Sequence, residues 1–273
     1  MTAVVAHDMT AAPPAPVAQS AATVVNDNLV LAWRNLVKFR RNRRLMLLST
    51  VQPLTQMVLF AYVFNSVANV PGIPYKQFVV PGVLVQAVVM AAMRTGVAVS
   101  VDLHTGMMDR FRTLPIARSA VLVGRTISDT ARIALQTVFL LIIAVAVIGF
   151  RFTTGPIRAV GVMIVIVTFG MALTAFSGWV GLCVDDPETA QTSLMVPIMP
   201  LVFTSSAFAP ISRLPGWMQP FARWNPCTAA IDLTRSLALG GPLLGPFERF
   251  VIWVVVITSV FTILGVRRYR RAA

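Results

Sequence analysis

Apolar residues along this chain come in long unbroken runs, not in strand-like alternation or the one-face spacing of a soluble helix. Six runs lie near Leu45–Phe64, Phe78–Val101, Ala131–Phe150, Ile157–Val184, Gln191–Ala209 and Glu248–Val266. A hydrocarbon core of ~30 Å is crossed by ~20 apolar residues in a helix, so each run predicts one span. Helices are expected because a lone segment in lipid must satisfy its own backbone hydrogen bonds. Pro53, Pro81, Pro197 and Pro200 fall within or near the runs, and spanning helices tolerate such kinks. The pattern predicts an all-α integral membrane protein with six transmembrane helices.

The connecting segments carry further signals. Asp27 to Arg44 reads DNLVLAWRNLVKFRRNRR, with Leu29, Trp33, Leu36 and Val37 at helical spacing among basic residues. This predicts an N-terminal amphipathic interfacial helix over 27–44, lying in the headgroup plane and anchoring the first span. Residues 1–26 are mostly Ala, Pro, Thr and Val with little charge; they read as a disordered cytosolic tail rather than a signal peptide. Residues 210–247 are too apolar for a solvated loop, yet Pro210, Pro215, Pro220 and Pro226 interrupt them. The expectation is an outer re-entrant segment between spans five and six, buried in protein or lining a water-filled cavity.

Composition agrees. Of 273 residues, 56% are hydrophobic and 12% charged, against about a quarter charged in soluble domains. The net charge of +13 would suggest nucleic acid in a soluble protein; here the basic residues cluster beside apolar runs, so no nucleic-acid partner is expected. Six Lys or Arg precede the first span, four lie in 102–130 and four follow the last span. The alternate connections hold one in 65–77, two in 151–158 and three in 210–247. Fourteen against six puts both termini in the cytosol, as an even number of spans requires.

Candidate chemistry is sparse. No phosphate-binding G-x-x-x-x-G-K-[ST] loop is present, nor a Gly-rich dinucleotide fingerprint. Cys183 and Cys227 are isolated thiols, so no metal site or disulfide framework is indicated. The acidic residues from Asp102 onward sit in loops or at span ends, which argues against an intramembrane carboxylate relay. Arg94 is the one basic residue well inside a run; roughly 12 Å from Asp102 along a helix, it is expected to snorkel to the headgroups. Asp186 reads as an N-cap, with Pro187 at the first helical position and Glu188 favouring the dipole. Three stripes recur at helical spacing: Ser49, Gln52 and Gln56; Gln86, Met90 and Met93; Met195, Met199 and Phe203. Such stripes pack helices together or line an uncharged, adaptable substrate cavity.

Two segments go beyond hydropathy. The loop between the second and third runs contains DRFRTLPIARSAVLVGR, and the segment between the fifth and sixth contains LPGWMQPFARWNPCTAAIDLTRSLALGG. In this order of helices they resemble the permease subunits of type-2 ABC exporters, most closely the daunorubicin-resistance-type permeases of actinobacteria. The similarity runs from about residue 28 over nearly the whole chain. It implies a permease domain over 45–273, in a bacterial plasma membrane. The half-transporter would pair with an identical or related permease and bind a separate ABC ATPase subunit. No cofactor is expected in this chain; ATP and Mg would sit on that ATPase. The ATPase-coupling loop maps to Asp102–Arg118, where Asp109, Arg110, Arg112, Leu114, Pro115 and Arg118 match. The family's usual Glu is replaced here by Asp102, with His104 after it. The connecting helix maps to 28–44 and the outer helices to about 211–240, with Pro215, Trp217, Asn225, Pro226 and Arg235 matching.

Without the resemblance these residues read modestly: Pro115 ends a helix, Asn225-Pro226 starts one, and Asp232 and Arg235 form an i,i+3 pair. The expected function is export of an amphipathic drug or polyketide-type lipid, with polysaccharide as a weaker option, driven by a partner's ATP hydrolysis. The rival from another class is a membrane-embedded lipid-processing enzyme, which would need a clustered nucleophile, base or metal site.

Overall fold

The computed structural model describes residues 43–64, 70, 72–105, 118–184 and 186–271, with side chains at 51–64, 70, 72–105, 128–184 and 186–268. The predicted tail and almost all of the interfacial helix lie outside the described residues. The rest is helical, and among the described residues there is no strand. In chain order the long elements are α1 (Arg43–Val63), α2 (Tyr75–His104), α3 (Arg118–Ile143), α4 (Pro156–Cys183) and α5 (Pro187–Phe203). A short 3-10 turn (Ile211–Arg213) leads to α6 (Gln219–Trp224), α7 (Pro226–Leu239) and α8 (Leu244–Arg271).

Four helical stretches are long and apolar enough to cross a membrane: Tyr75–His104, Ser128–Ile148, Pro156–Cys183 and Leu244–Arg268. Most of α1 and α5 is apolar too, but α5 has only 17 residues, roughly 25 Å. Most helix ends fall within a few residues of the predicted ones. The largest departure is α3, which begins at Arg118, thirteen residues before the predicted Ala131, and α5 ends at Phe203, six residues before the predicted Ala209. The stretch RSAVLVGRTISDT lacks Pro and has one Gly, so nothing in it stops a helix from continuing past the apolar limit.

The centre of the bundle is α2. Twenty of its thirty residues are buried, and it packs against α1, α3, α4, α5 and α7. Its broadest seam is with α4, where small residues let the backbones approach. A Cβ on Gly181 would overlap the Gly96 carbonyl oxygen, and one on Gly96 would overlap that of Ser177. The Ser177 hydroxyl donates to Ala92 O at 2.7 Å, tying both helices at this point. By contrast α8 leaves one side open, with Ile252, Val255, Val256 and Ile263 exposed; in a membrane protein this is a face for lipid.

The predicted outer end is tied by polar contacts. There α3 widens into a π turn over Ala144–Ile148, closed by Gly149 at φ 73°. Tyr62 Oη donates to Val147 O at 3.0 Å. The Gln77 amide brackets the same corner, donating to Gly149 O at 3.0 Å and accepting from Arg151 N at 3.1 Å. The C-terminal end of α7 joins this corner, since Ala238 O accepts from Thr153 N at 3.1 Å.

Candidate functional site

The end of α5 and the start of α7 meet against the N-terminal half of α2. Asn225 organises the junction: its Oδ1 caps α7 by accepting from Cys227 N at 2.8 Å, while its Nδ2 donates to Leu201 O at 2.7 Å. Pro226 then occupies the first helical position, where its missing N–H costs nothing. Asn225-Pro226 is thus a helix start, as its sequence predicts.

Beside this junction Asp232 and Arg235 form more than an i,i+3 pair. Arg235 Nη1 lies 3.2 Å from Asp232 Oδ1. Its Nη2 donates to Ser206 O at 2.8 Å and to Phe78 O at 3.2 Å. The guanidinium also stacks 3.8 Å from the Phe78 ring centroid. Asp232 in turn accepts from Ser206 Oγ at 2.7 Å. One arginine therefore fastens α7 to α2 and to the chain leaving α5.

Between these elements lies a shallow, narrow crevice lined by Gly82, Val85, Gln86, Val89, Val202, Ser205, Ala207, Cys227 and Ile231. Gln86 is buried and its Oε1 has no hydrogen-bond partner. Of the candidate cavity residues, Gln86 alone lines this crevice. Met90 is half-buried against the core. Gln52 is exposed and Gln56 half-buried on α1; Met195 is exposed and Met199 half-buried on α5. Phe203 is exposed, its ring 5.8 Å from Phe208, which in turn stacks 4.4 Å from Phe60. Phe208 thus bridges Phe60 of α1 and Phe203 of α5.

At the predicted cytosolic end, Asp102 is half-buried near the end of α2 and Arg118 opens α3, its side chain not described. Asp109, Arg110, Arg112, Leu114 and Pro115 lie outside the described residues. Asp186 caps α5: its Oδ2 accepts from Thr189 N at 2.9 Å and Oγ1 at 3.1 Å. The Thr189 N–H holds the Asp186 carboxyl below its ordinary pKa, with help from the Thr189 hydroxyl and Glu188 N–H. Among the described residues no group of three or more His, Cys, Asp and Glu converges.

Arg94 departs from expectation. Instead of reaching only for headgroups, its Nη2 donates to Gln136 Oε1 on α3 at 3.3 Å. Arg132 reaches back, donating to Thr95 Oγ1 at 3.1 Å and Ala91 O at 3.4 Å. Sequence reasoning missed this exchange because Arg132 stood at the edge of an apolar run. The spacing Asp129, Arg132, Gln136 puts all three on one helical face once α3 is known to start early.

Comparison with known proteins gives these residues a context. Residues 27–239 match the ABC-2 type transporter family. The chain belongs to that family. It is 33% identical over 252 residues to a daunorubicin resistance ABC transporter permease protein, DrrB1, of Streptomyces coeruleorubidus, covering 91% of this chain and 88% of the relative. A probable doxorubicin resistance ABC transporter permease protein, DrrC, of Mycobacterium tuberculosis is 28% identical over 264 residues, 94% of each chain. A putative transport permease, ycf38, of Porphyra purpurea is 22% identical over 218 residues, 78% of this chain and 74% of its own. This ABC-2 protein is thus a multi-pass membrane permease subunit of an ABC exporter. The lipid-processing enzyme finds no support.

Proposed function

We propose that this ABC-2 permease exports an amphipathic drug or drug-like polyketide lipid across a bacterial plasma membrane. It uses ATP and Mg bound by a separate ABC ATPase subunit. The observation that carries this reading is the match over 91% of the chain to a permease named for daunorubicin resistance. The permease works as a dimer, with a second copy or a related permease, because six spans supply half of a pathway.

In this reading α1, α2, α3, α4, α5 and α8 are the six spans, and both termini are cytosolic. The segment holding α6 and α7 is re-entrant. Support comes from lengths: α7 has 14 residues, roughly 21 Å, and cannot cross alone. Its first turn lies beside Gly82 and Gln86, roughly 10–16 Å along α2 from Tyr75, while its last carbonyls meet the outer corner. Together α5 and α7 fill a depth that α5 alone does not. The proposed layout is a cytosolic tail over 1–26, a connecting helix over 27–44 and the permease domain over 45–273. The loop from Asp102 to Arg118 is the ATPase-coupling element.

A pull-down of the tagged, detergent-solubilised protein from native-host membranes tests the assignment. A co-purifying ATPase is expected with wild type and lost in the double variant Arg110→Glu, Arg112→Glu. Retention in the variant would sink the loop assignment, and absence from both samples would sink the two-subunit reading.

A further inference from the structure

Roughly 12 Å along α2 from Asp102, two arginines cross between neighbouring helices. Arg94 of α2 donates to Gln136 Oε1 at 3.3 Å, and Arg132 of α3 donates to Thr95 Oγ1 at 3.1 Å. The two acceptors of Arg132 on α2, Ala91 O and Thr95 Oγ1, flank Arg94 in the same turns of that helix. Asp129 lies 3.1 Å from Arg132 Nη2 and balances one of the two. Among the described residues no carboxylate stands within 4.0 Å of Arg94. Counted over the described residues, the pair carries one positive charge in excess, with Arg94 eight residues before Asp102 on α2.

Helix packing alone does not account for this arrangement. A glutamine at 94 could hold Gln136 without bringing a charge into lipid, where basic side chains are expensive and mark functional positions. A guanidinium offers five N–H donors in a planar fork, and Arg94 spends one on Gln136. Arg132 Nε is buried with no partner. The site is not sealed: Arg94 and Arg132 are both half-buried. Ala98 and Val101 on the Arg94 face of α2 are exposed, as are Leu135 and Val138 on α3. Unused planar donors, one surplus charge and a lateral opening suit a single tetrahedral oxyanion, which arginine forks bind through paired charge-assisted bonds. Basic pockets between membrane helices hold lipid headgroups on the same principle.

We propose that Arg94 and Arg132 together hold one phosphate-type oxyanion in the α2–α3 seam, supplied by an anionic phospholipid headgroup or by inorganic phosphate. The proposed orientation decides only which leaflet supplies the lipid; the chemistry of the site does not depend on it or on an ATPase partner. Phosphatidylcholine carries the same phosphate but its own ammonium cancels the charge, so it is the discriminating control.

The test is native mass spectrometry of the full-length protein released from neutral detergent, titrated with dioleoyl phosphatidylglycerol or dioleoyl phosphatidylcholine. Wild type is expected to retain one phosphatidylglycerol in preference to phosphatidylcholine. Arg94→Gln and Arg132→Gln, each checked for wild-type thermal stability, are expected to weaken it at least roughly tenfold. Arg94→Lys, which keeps the charge but loses the fork, covers the case in which a glutamine variant fails to fold, and is expected to fall between. Arg268→Gln, at an exposed position on α8, is expected to bind like wild type. Calorimetric titration with inorganic phosphate separates the sources: phosphate that binds wild type and displaces phosphatidylglycerol assigns a free anion, and no displacement assigns the lipid. Equal retention of both lipids together with no phosphate binding would overturn the proposal. So would phosphatidylglycerol and phosphate binding unchanged by both Arg94→Gln and Arg132→Gln.

Discussion

Two glycines one turn apart on α4 ought to respond oppositely to the same substitution. Gly181 and Gly178 both lie inside the helix Pro156–Cys183. A Cβ on Gly181 would overlap Gly96 O and sit 3.0 Å from Val99 Cβ, whereas a Cβ on Gly178 meets nothing within 4 Å. The obstruction at Gly181 is backbone, so no rotamer change relieves it, and α2 and α4 must separate along their broadest seam. Overpacking of this kind costs about 1–3 kcal/mol. At Gly178 the added methyl only removes backbone freedom, a gain of up to about 1 kcal/mol. For a chain of this size ~1 kcal/mol moves Tm by roughly 2–4 °C. Gly181→Ala is thus expected to lower Tm by roughly 2–12 °C and Gly178→Ala to leave it equal or higher. Intrinsic tryptophan fluorescence during thermal unfolding of the purified, detergent-solubilised protein reads both, with Trp179 standing between the two positions. A Gly181→Ala protein as stable as wild type, or equal shifts in both variants, would refute the close-packed seam.

Three further outcomes follow from the polar contacts. Arg235→Met removes the guanidinium that holds Asp232, Ser206 and Phe78, and is expected to cost about 3–5 kcal/mol in thermal unfolding. Adding Asp232→Asn should recover part of the loss, because it removes the carboxylate left behind. Asn225→Ala deletes both the α7 cap and the tie to Leu201 O, and should cost about 1–3 kcal/mol in the same assay. Asp186→Ala should lower thermal stability at neutral pH. Because the folded carboxyl titrates below its ordinary value, the cap's contribution is full above an unfolded pKa of about 3.9. It fades as pH falls through the lower folded value. The difference in Tm between wild type and Asp186→Ala should therefore be constant from about pH 6 to 8 and shrink below about pH 4. A difference that grows on acidification would contradict the capping geometry.

How far each part of the molecule was legible depended on the range of the forces that set it. Among the described residues hydropathy located each long helix, because burial in lipid acts residue by residue and needs no partner. Local rules were equally readable: Asp186-Pro187 and Asn225-Pro226 start helices because the cap and the proline act within one turn. The limit of α3 was misplaced by thirteen residues, since an apolar run reports where lipid ends and not where helical hydrogen bonding stops.

What the sequence determined by itself was a helical membrane chain, its family, and the helix starts marked by a cap and a proline, at Asp186-Pro187 and Asn225-Pro226. The tertiary structure alone decided which residues of the stripes are buried. Gln86 lines a crevice with Cys227 while Met195 and Phe203 of α5 are exposed, a difference of rotation about helix axes that spacing does not encode. It also turned Asp232 and Arg235 from an i,i+3 pair into a clasp on Ser206 and Phe78, and crossed Arg94 and Arg132 between separate helices. Those contacts join residues between 26 and 157 positions apart. Only packing can create them, because a side chain's polar partner in lipid is chosen by whichever neighbour the fold delivers.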